Sequence, residues 1–234
     1  MVNFYALAFT GLGIACIWRG SHAGTLGFAW VWIGISLVLV GLAYGGVGPR
    51  VFGKSSDGKL SLIAIAVLFP FLLGTWTVWH LRRWISNGSA GQEIVPGIWL
   101  GRRPYFRELP PGIGLVIDLA AEFPADPVLT RRVRYVSMPV LDASAPPDGV
   151  FMNLVERLLA ETEPVFVHCA VGHARSASVV AAVLIRMGLA ADVDSAEALI
   201  RTKRPGVRLN RAQRQQVQRL IVPKIGDASP EPRS

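Results

Sequence analysis

Two hydrophobic regimes divide the chain. Up to about residue 85 polar positions almost vanish: Val2–Trp18 is apolar apart from Asn3 and Thr10, and Leu26–Tyr44 and Leu60–Trp79 carry no charge. The last two approach the roughly 20 residues that span a bilayer as a helix, and the first, about 17 residues, is shorter. Trp18, Trp30, Trp32, Tyr44, Trp76, Trp79 and Trp84 include several at segment ends, where interfacial aromatics belong. The pattern predicts an all-α transmembrane region of about three helices over residues 1–85. Three nearly uncharged runs joined by short loops argue against helices buried in a soluble protein. A signal peptide is disfavoured, because Met1–Thr10 lacks a basic start and two more apolar runs follow.

Beyond a linker at 86–93 the pattern becomes mixed. Ile98–Arg102, Leu115–Ile117 ending at Asp118, Tyr135–Leu141 and Val165–Val167 read as strands. Between and after them lie helical stretches: Val150–Ala160, with Val150, Phe151, Leu154, Val155, Leu158 and Leu159 on one face, and the apolar Ala177–Met187. Asp194-Ser195-Ala196-Glu197 reads as a capping box that opens a helix ending before Pro205, and Asn210-Arg211-Ala212-Gln213 as another helix start. This alternation predicts an α/β domain over 94–222, a largely parallel sheet flanked by helices with its site beyond the strand C-termini. The tail, 223–234, is rich in prolines and small polar residues from Gly226 on and is expected to be disordered.

Charge sharpens the division. Of the net +8, residues 1–89 contribute +5 from six Lys/Arg and one acid, which places the strongest basicity where anionic headgroups attract it. Three spans put the N-terminus opposite the catalytic domain. Arg50, Lys54 and Lys59 on one side balance Arg19, Arg82 and Arg83 on the other, and only the more distant Arg102, Arg103 and Arg107 tip the catalytic domain toward the cytoplasm. The cluster Arg201, Lys203, Arg204, Arg208, Arg211 and Arg214 reads either as a surface for acidic lipid or substrate or as a solvated face. No recognition motif accompanies the charge, so nucleic acid is not an expected partner. Four scattered histidines and two cysteines give neither a metal cage nor a disulfide framework, and Cys16 reads as a small buried hydrophobe. No metal and no cofactor is expected.

The most specific chemistry lies in Pro164-Val165-Phe166-Val167-His168-Cys169-Ala170-Val171-Gly172-His173-Ala174-Arg175-Ser176. A strand runs into a tight loop and a helix N-terminus, with a cysteine opening the loop. Such a loop turns the N–H groups of Ala170, Val171, Gly172, His173 and Ala174 around an anion, and the same donors, the helix dipole and Arg175 stabilise a thiolate at Cys169. His173 reads as a loop residue rather than a base.

The string HCxxGxxRS, as His168-Cys169, Gly172 and Arg175-Ser176, resembles the signature of cysteine-dependent phosphatases of the dual-specificity branch, and the resemblance extends over roughly Ile94–Val222. It implies Cys169 as nucleophile and Arg175 as a bidentate grip on phosphate oxygens. Gly172 would permit close approach, Ser176 would hydrogen-bond the thiolate as it leaves, and His168 would orient the loop. The family's general acid is an aspartate some way before the cysteine. Asp142, 27 residues upstream at the mouth of a Pro/Gly-containing loop, fits that place; the rival Asp148 reads as a helix N-cap. Asp118 reads as a strand-end structural carboxylate where the family commonly has asparagine.

The resemblance implies a membrane-anchored phosphomonoester phosphatase working through phosphocysteine. A phospholipid headgroup is the favoured substrate, a phosphoprotein the alternative and a soluble metabolite a further one. The loop lacks the lysines that some inositol-lipid phosphatases carry, which weakens a polyphosphoinositide reading. Sulfurtransferase and arsenate reductase are disfavoured by His168, Arg175-Ser176 and Asp142. Intact Cys169, Arg175 and Asp142 disfavour a silent phosphate-binding scaffold.

Overall fold

Small residues shape the N-terminal region. In α1 (Phe4–Ser21) and α2 (Gly27–Leu42), Ala6, Gly13 and Gly20 on one helix and Gly27, Gly34 and Gly41 on the other recur every seventh position and are buried. A Cβ at Gly13 would sit 2.7 Å from the Gly34 carbonyl, one at Gly34 2.6 Å from the Gly13 carbonyl, and one at Gly20 2.7 Å from the Gly27 carbonyl. The two backbones therefore touch along an antiparallel hairpin. Close approach at small residues is how helices associate where surrounding lipid removes any hydrophobic drive between them. The computed structural model describes residues 4–85 and 88–221; the tail expected to be disordered, 223–234, lies outside the described residues.

After α2 the chain passes through a π turn and a 3-10 turn, Ala43–Phe52, into the loop before α3 (Leu62–Ile85). Two described helical segments, Gly24–Phe52 and Leu62–Ile85, are long and apolar enough to cross a membrane, with mean hydropathies of 2.2 and 2.0. The third expected span, α1, has 18 residues and carries Arg19 in its last turn. The start of α1 does not lie opposite the catalytic domain. Tyr5 packs its ring on Tyr44 at 5.2 Å, and the Tyr44 hydroxyl donates to the Asp142 carbonyl at 3.1 Å. Both ends of the hairpin thus meet the catalytic domain, because the return strand of an antiparallel pair ends where the pair began.

Five strands build the catalytic sheet: β1 (Gly91–Val95), β2 (Ile98–Arg102), β3 (Leu115–Ala120), β4 (Arg134–Val140) and β5 (Val165–Cys169). Their spatial order is β1-β2-β5-β3-β4, with β1 antiparallel to β2 and every other pairing parallel. β1 starts inside the segment expected as linker. Helices α4 (Pro127–Arg132), α5 (Asp148–Ala160), α6 (Arg175–Arg186), α7 (Val193–Lys203) and α8 (Arg211–Leu220) complete the domain. This bears out the expected α/β architecture with a largely parallel sheet.

Alternation along the strands assigns the faces. Leu115, Ile117 and Leu119 of β3 and Val165, Val167 and Cys169 of β5 join the main core with α5, α6, α7 and α8, and Arg175 to Ile185 of α6 are all buried there. Val116 and Phe166 face the other way, with Leu129 of α4. Two helix starts differ from expectation. The capping box of α7 is Asp192 with Ser195, two residues earlier than expected, and α5 is capped at Pro147. Asn210 with Gln213 caps α8 as expected.

All six residues of β3 are buried, so a carboxylate on this strand needs a partner. Asp118 finds it in the N-terminal region. Lys54 Nζ lies 2.7 Å from its Oδ2, with both side chains wholly shielded, and also donates to the Ala120 carbonyl. The Tyr135 hydroxyl donates to Asp118 at 2.6 Å, the Ala120 N–H at 2.8 Å, and His168 Nδ1 stands 3.7 Å away. Burial alone would push the Asp118 carboxyl up; the charges of Lys54 and His168 and the hydrogen bonds from Lys54 and Tyr135 overrule it and hold the group well below the usual carboxylate range.

Lys54→Met leaves Asp118 buried without a counter-charge and is expected to cost about 3–5 kcal/mol. Adding Asp118→Asn removes the stranded charge and should recover most of that loss; thermal unfolding of the full chain checks both. His168 supplies a pH dependence. Burial pushes it from 6.5 down to about 4, against the opposing pull of Asp118. Between those values the unfolded chain binds a proton that the folded chain does not, so stability falls as pH falls. The expected loss is about 2 kcal/mol between pH 7.5 and pH 5, read from denaturant midpoints and diminished in His168→Gln.

Candidate active site

The loop between β5 and α6 is held by its carbonyls. Cys169 O meets His168 Nδ1 at 3.3 Å. Ala170 O accepts from Trp79 Nε1 of α3 at 2.8 Å and from the Arg103 N–H at 3.2 Å. Val171 O and Gly172 O accept from two nitrogens of Arg204, each at 2.8 Å, and His173 O accepts from the Arg208 N–H at 3.0 Å. Across a trans peptide the C=O and the following N–H point opposite ways. Five carbonyls directed outward therefore leave the N–H groups of Ala170, Val171, Gly172, His173 and Ala174 on the inner side. Gly172 shows the result, its N–H lying 3.2 Å from Cys169 Sγ. Gly172 has φ 76°, and a Cβ there would collide with the Gly101 carbonyl, so only glycine fits.

Cys169 lies at the C-terminal end of β5, buried, with the Ser176 hydroxyl 3.4 Å from its sulfur. Burial pushes the thiol up; the Arg175 charge and hydrogen bonds from Ser176 and the Gly172 N–H outweigh it, so the group ionises below its ordinary value. Arg175 starts α6 and is itself buried. Glu122, on the loop after β3, takes its two terminal nitrogens bidentately at 2.9 and 2.7 Å, and the Val140 carbonyl accepts a further bond at 2.9 Å. Arg175 Nε has no hydrogen-bond partner among the described residues, which leaves a buried donor for an incoming anion.

Asp142 follows β4 at the rim, its Oδ1 3.3 Å from Arg175 and its side chain 70% exposed. Its loop is clamped from two sides. Tyr44 binds the Asp142 carbonyl, while Asn210 and Gln213 of the α8 cap bind the carbonyls of Ala143 and Ser144 at 2.9 and 3.1 Å, and Gln216 binds that of Pro146 at 2.6 Å. Asp148 is elsewhere: it opens α5 and accepts from Gln216 and Arg219.

A cavity of about 510 Å³ opens over the loop. Arg175, Asp142, Glu122, Phe123, Ala170 and Val171 line one side. The other is α3, through Pro70, Phe71, Gly74, Thr75, Val78, Trp79 and Arg82. A larger cavity, about 710 Å³, lies between α5, α7 and α8, lined by Asp148 but by no residue of the cysteine loop. Trp79 is fixed by ring contacts to Tyr105 and Phe123 and by the guanidinium groups of Arg83 and Arg103 at 5.5 and 5.2 Å.

The structure thus gathers Cys169, Ala170–Ala174, Arg175, Ser176, His168 and Asp142 in one place. Sequence reasoning gave no site role to Glu122, Trp79, Tyr44, Lys54 and Arg204, which hold these groups from distant parts of the chain. Of the basic cluster, Arg204 turns inward to the loop and Arg214 pairs with Asp194 and Glu197, while Arg201, Lys203, Arg208 and Arg211 stay exposed.

Residues 110–220 match the family model described as dual specificity phosphatase, catalytic domain. A mutant form of Tk-PTP superposes with a TM-score of 0.50 at 25% identity, covering 56% of this chain and 93% of that one. A human tyrosine phosphatase-like serine/threonine/tyrosine-interacting protein gives a TM-score of 0.50 at 24% identity, covering 56% and 95%. No curated protein sequence matches the chain. Signature, family match and fold agree: residues 110–220 form a catalytic domain of the dual-specificity phosphatase family.

Proposed function

We propose that the enzyme is a membrane-bound phosphomonoesterase whose substrate is a lipid headgroup phosphate. Cys169 thiolate attacks phosphorus and Asp142 protonates the departing alcohol oxygen. Water, deprotonated by the same carboxylate, then releases phosphate from the phosphocysteine. Arg175 Nε and the inward N–H groups hold the equatorial oxygens, the term that contributes most in such sites. Glu122 keeps the guanidinium oriented, and the Ser176 hydroxyl stabilises the thiolate as it leaves.

The observation that carries the lipid reading is that α3 forms one wall of the catalytic cavity. Anything that reaches Arg175 travels along an apolar helix whose outer positions Leu62, Ile63, Leu81, Trp84 and Ile85 are exposed. Among the described residues, all exposed large hydrophobics other than Val128, Val150, Met187 and Leu189 fall in the first 85 positions, the distribution of a surface covered by acyl chains rather than water. In this reading the α1–α2 hairpin enters the bilayer. Helix α3 lies along the bilayer surface, since Leu68, Leu72, Trp76, Trp79 and Arg83 are already committed to neighbouring protein. The catalytic domain stands on the cytoplasmic side, where a thiolate keeps best.

Full-length protein in mixed micelles is expected to hydrolyse phosphatidic acid with a kcat/KM at least about a hundredfold above that for glycerol 3-phosphate, as tethering concentrates substrate at the site. Equal values, or faster turnover of a phosphopeptide, would overturn the lipid assignment. Cys169→Ser should abolish turnover while keeping the fold, and Arg175→Lys should be severely impaired because lysine cannot reproduce the fork; near-normal kinetics in either would remove the assigned role. Asp142→Asn should slow lipid alcohols by about 10²–10⁴-fold and acidic aryl phosphates much less, since a good leaving group needs little protonation. An equal loss on both would make Asp142 a positioning residue.

A further inference from the structure

Beside the catalytic cavity lies a second one, about 440 Å³, sharing Trp79, Arg82, Ala170 and Val171 with it. Its lining has five permanent cations, Arg82, Arg83, Arg102, Lys203 and Arg204, and no carboxylate. Three of these are occupied. Arg83 and Arg102 both bind Glu108, and Arg204 is spent on the loop carbonyls and Gln92. Arg82 and Lys203 make no hydrogen bond or ion pair with any described residue. They approach from opposite ends of the chain, Arg82 from the last turn of α3 and Lys203 from that of α7.

Apart from Glu108, which must serve two arginines, the cavity holds uncompensated positive charge next to the phosphate loop. His173, on the shared rim, registers that field: burial and then the charges of Arg204 and Arg82 push its pKa down. A cavity of this sign beside a phosphate site suits an anion carried on the same substrate molecule.

We propose that this cavity is a second phosphate subsite, in which Arg82 and Lys203 bind a further phosphate, as monoester or diester, of a substrate whose scissile monoester lies at Cys169. The assignment rests on the phosphomonoesterase reading of the loop but not on the substrate being a lipid. It makes a segment outside the catalytic domain a specificity determinant, because Arg82 belongs to α3.

The test uses the full chain in detergent. Binding of α,ω-alkane bisphosphates of increasing length to the Cys169→Ser protein is compared by calorimetry with binding of the matching alkyl monophosphates. At the optimal length the bisphosphate should bind about tenfold tighter or more. Adding Arg82→Gln or Lys203→Gln should each remove most of that gap, and Lys203→Gln should leave monophosphate affinity unchanged. In the parent protein Lys203→Gln, whose residue lies outside the catalytic cavity, should leave aryl phosphate kcat/KM within about twofold. In micelles, a gain of phosphatidylinositol 4-phosphate over phosphatidic acid that both substitutions abolish assigns the subsite to a headgroup diester. A gain confined to soluble bisphosphates assigns it to a second monoester. No bisphosphate gap at any length, or a gap that survives both substitutions, overturns the subsite. Failure of the parent protein to turn over any monoester would instead remove the enzymatic reading, whatever the binding gap.

Discussion

The outward fixation of five successive carbonyls, Cys169 to His173, is the constraint on which the site depends. A loop that gathers N–H groups around one point creates a positive concavity, and its peptide planes would rotate in solution to satisfy their carbonyls. Here each carbonyl has a donor outside the loop, and the donors come from every quarter: His168 on the strand, Trp79 on α3, Arg103 after β2, Arg204 after α7. The N–H groups then have no choice of direction, and the inner space they enclose favours negative charge at Cys169. Glu122 does the same for Arg175, taking both terminal nitrogens and presenting Nε.

It follows that the N-terminal region is part of the catalytic architecture rather than a tether. Trp79 holds the loop, Tyr44 holds the Asp142 backbone, and Lys54 neutralises Asp118 on the face of the sheet that carries His168. Asp118 has its reason here: a buried carboxylate fits a strand that receives a lysine from outside the sheet. The Trp79 and Lys54 links are buried or half-buried, where loss of a partner costs most. The apolar surface and the active-site geometry are thereby tied together, and α3, as cavity wall and apolar surface, is the element common to both.

What the sequence made legible was local. The order His168-Cys169, Gly172, Arg175-Ser176 occupies one strand end, one loop and one helix start, so a short string carries the whole device. Asp142 could be picked out because loop length fixes its distance along the chain, and Asn210 because its capping partner is three residues on. Glu122, 53 residues from Arg175, and Lys54, 64 from Asp118, left no such trace: their meaning comes only from the fold bringing them together. Trp79 read as an interfacial aromatic and Arg204 as one of a basic cluster, each plausible until its hydrogen-bond partner was seen. β1 escaped notice because Gly91 and Gln92 show little apolar alternation, and its place is set by pairing with β2. The expectation that three spans set the N-terminus opposite the catalytic domain treats the spans as independent, whereas α1 and α2 form a hairpin, and Tyr5 and Tyr44 bring its open end to Asp142.

The central claim is that Cys169 becomes phosphorylated during turnover. Rapid acid quench of full-length protein reacting with an aryl phosphate, followed by peptide mass spectrometry, tests it directly. A transient phosphate on the peptide containing Cys169, accumulating further in the Asp142→Asn protein, is the result this account predicts. Steady turnover with no phosphate on Cys169 at any time, or with the label on another residue, would contradict it.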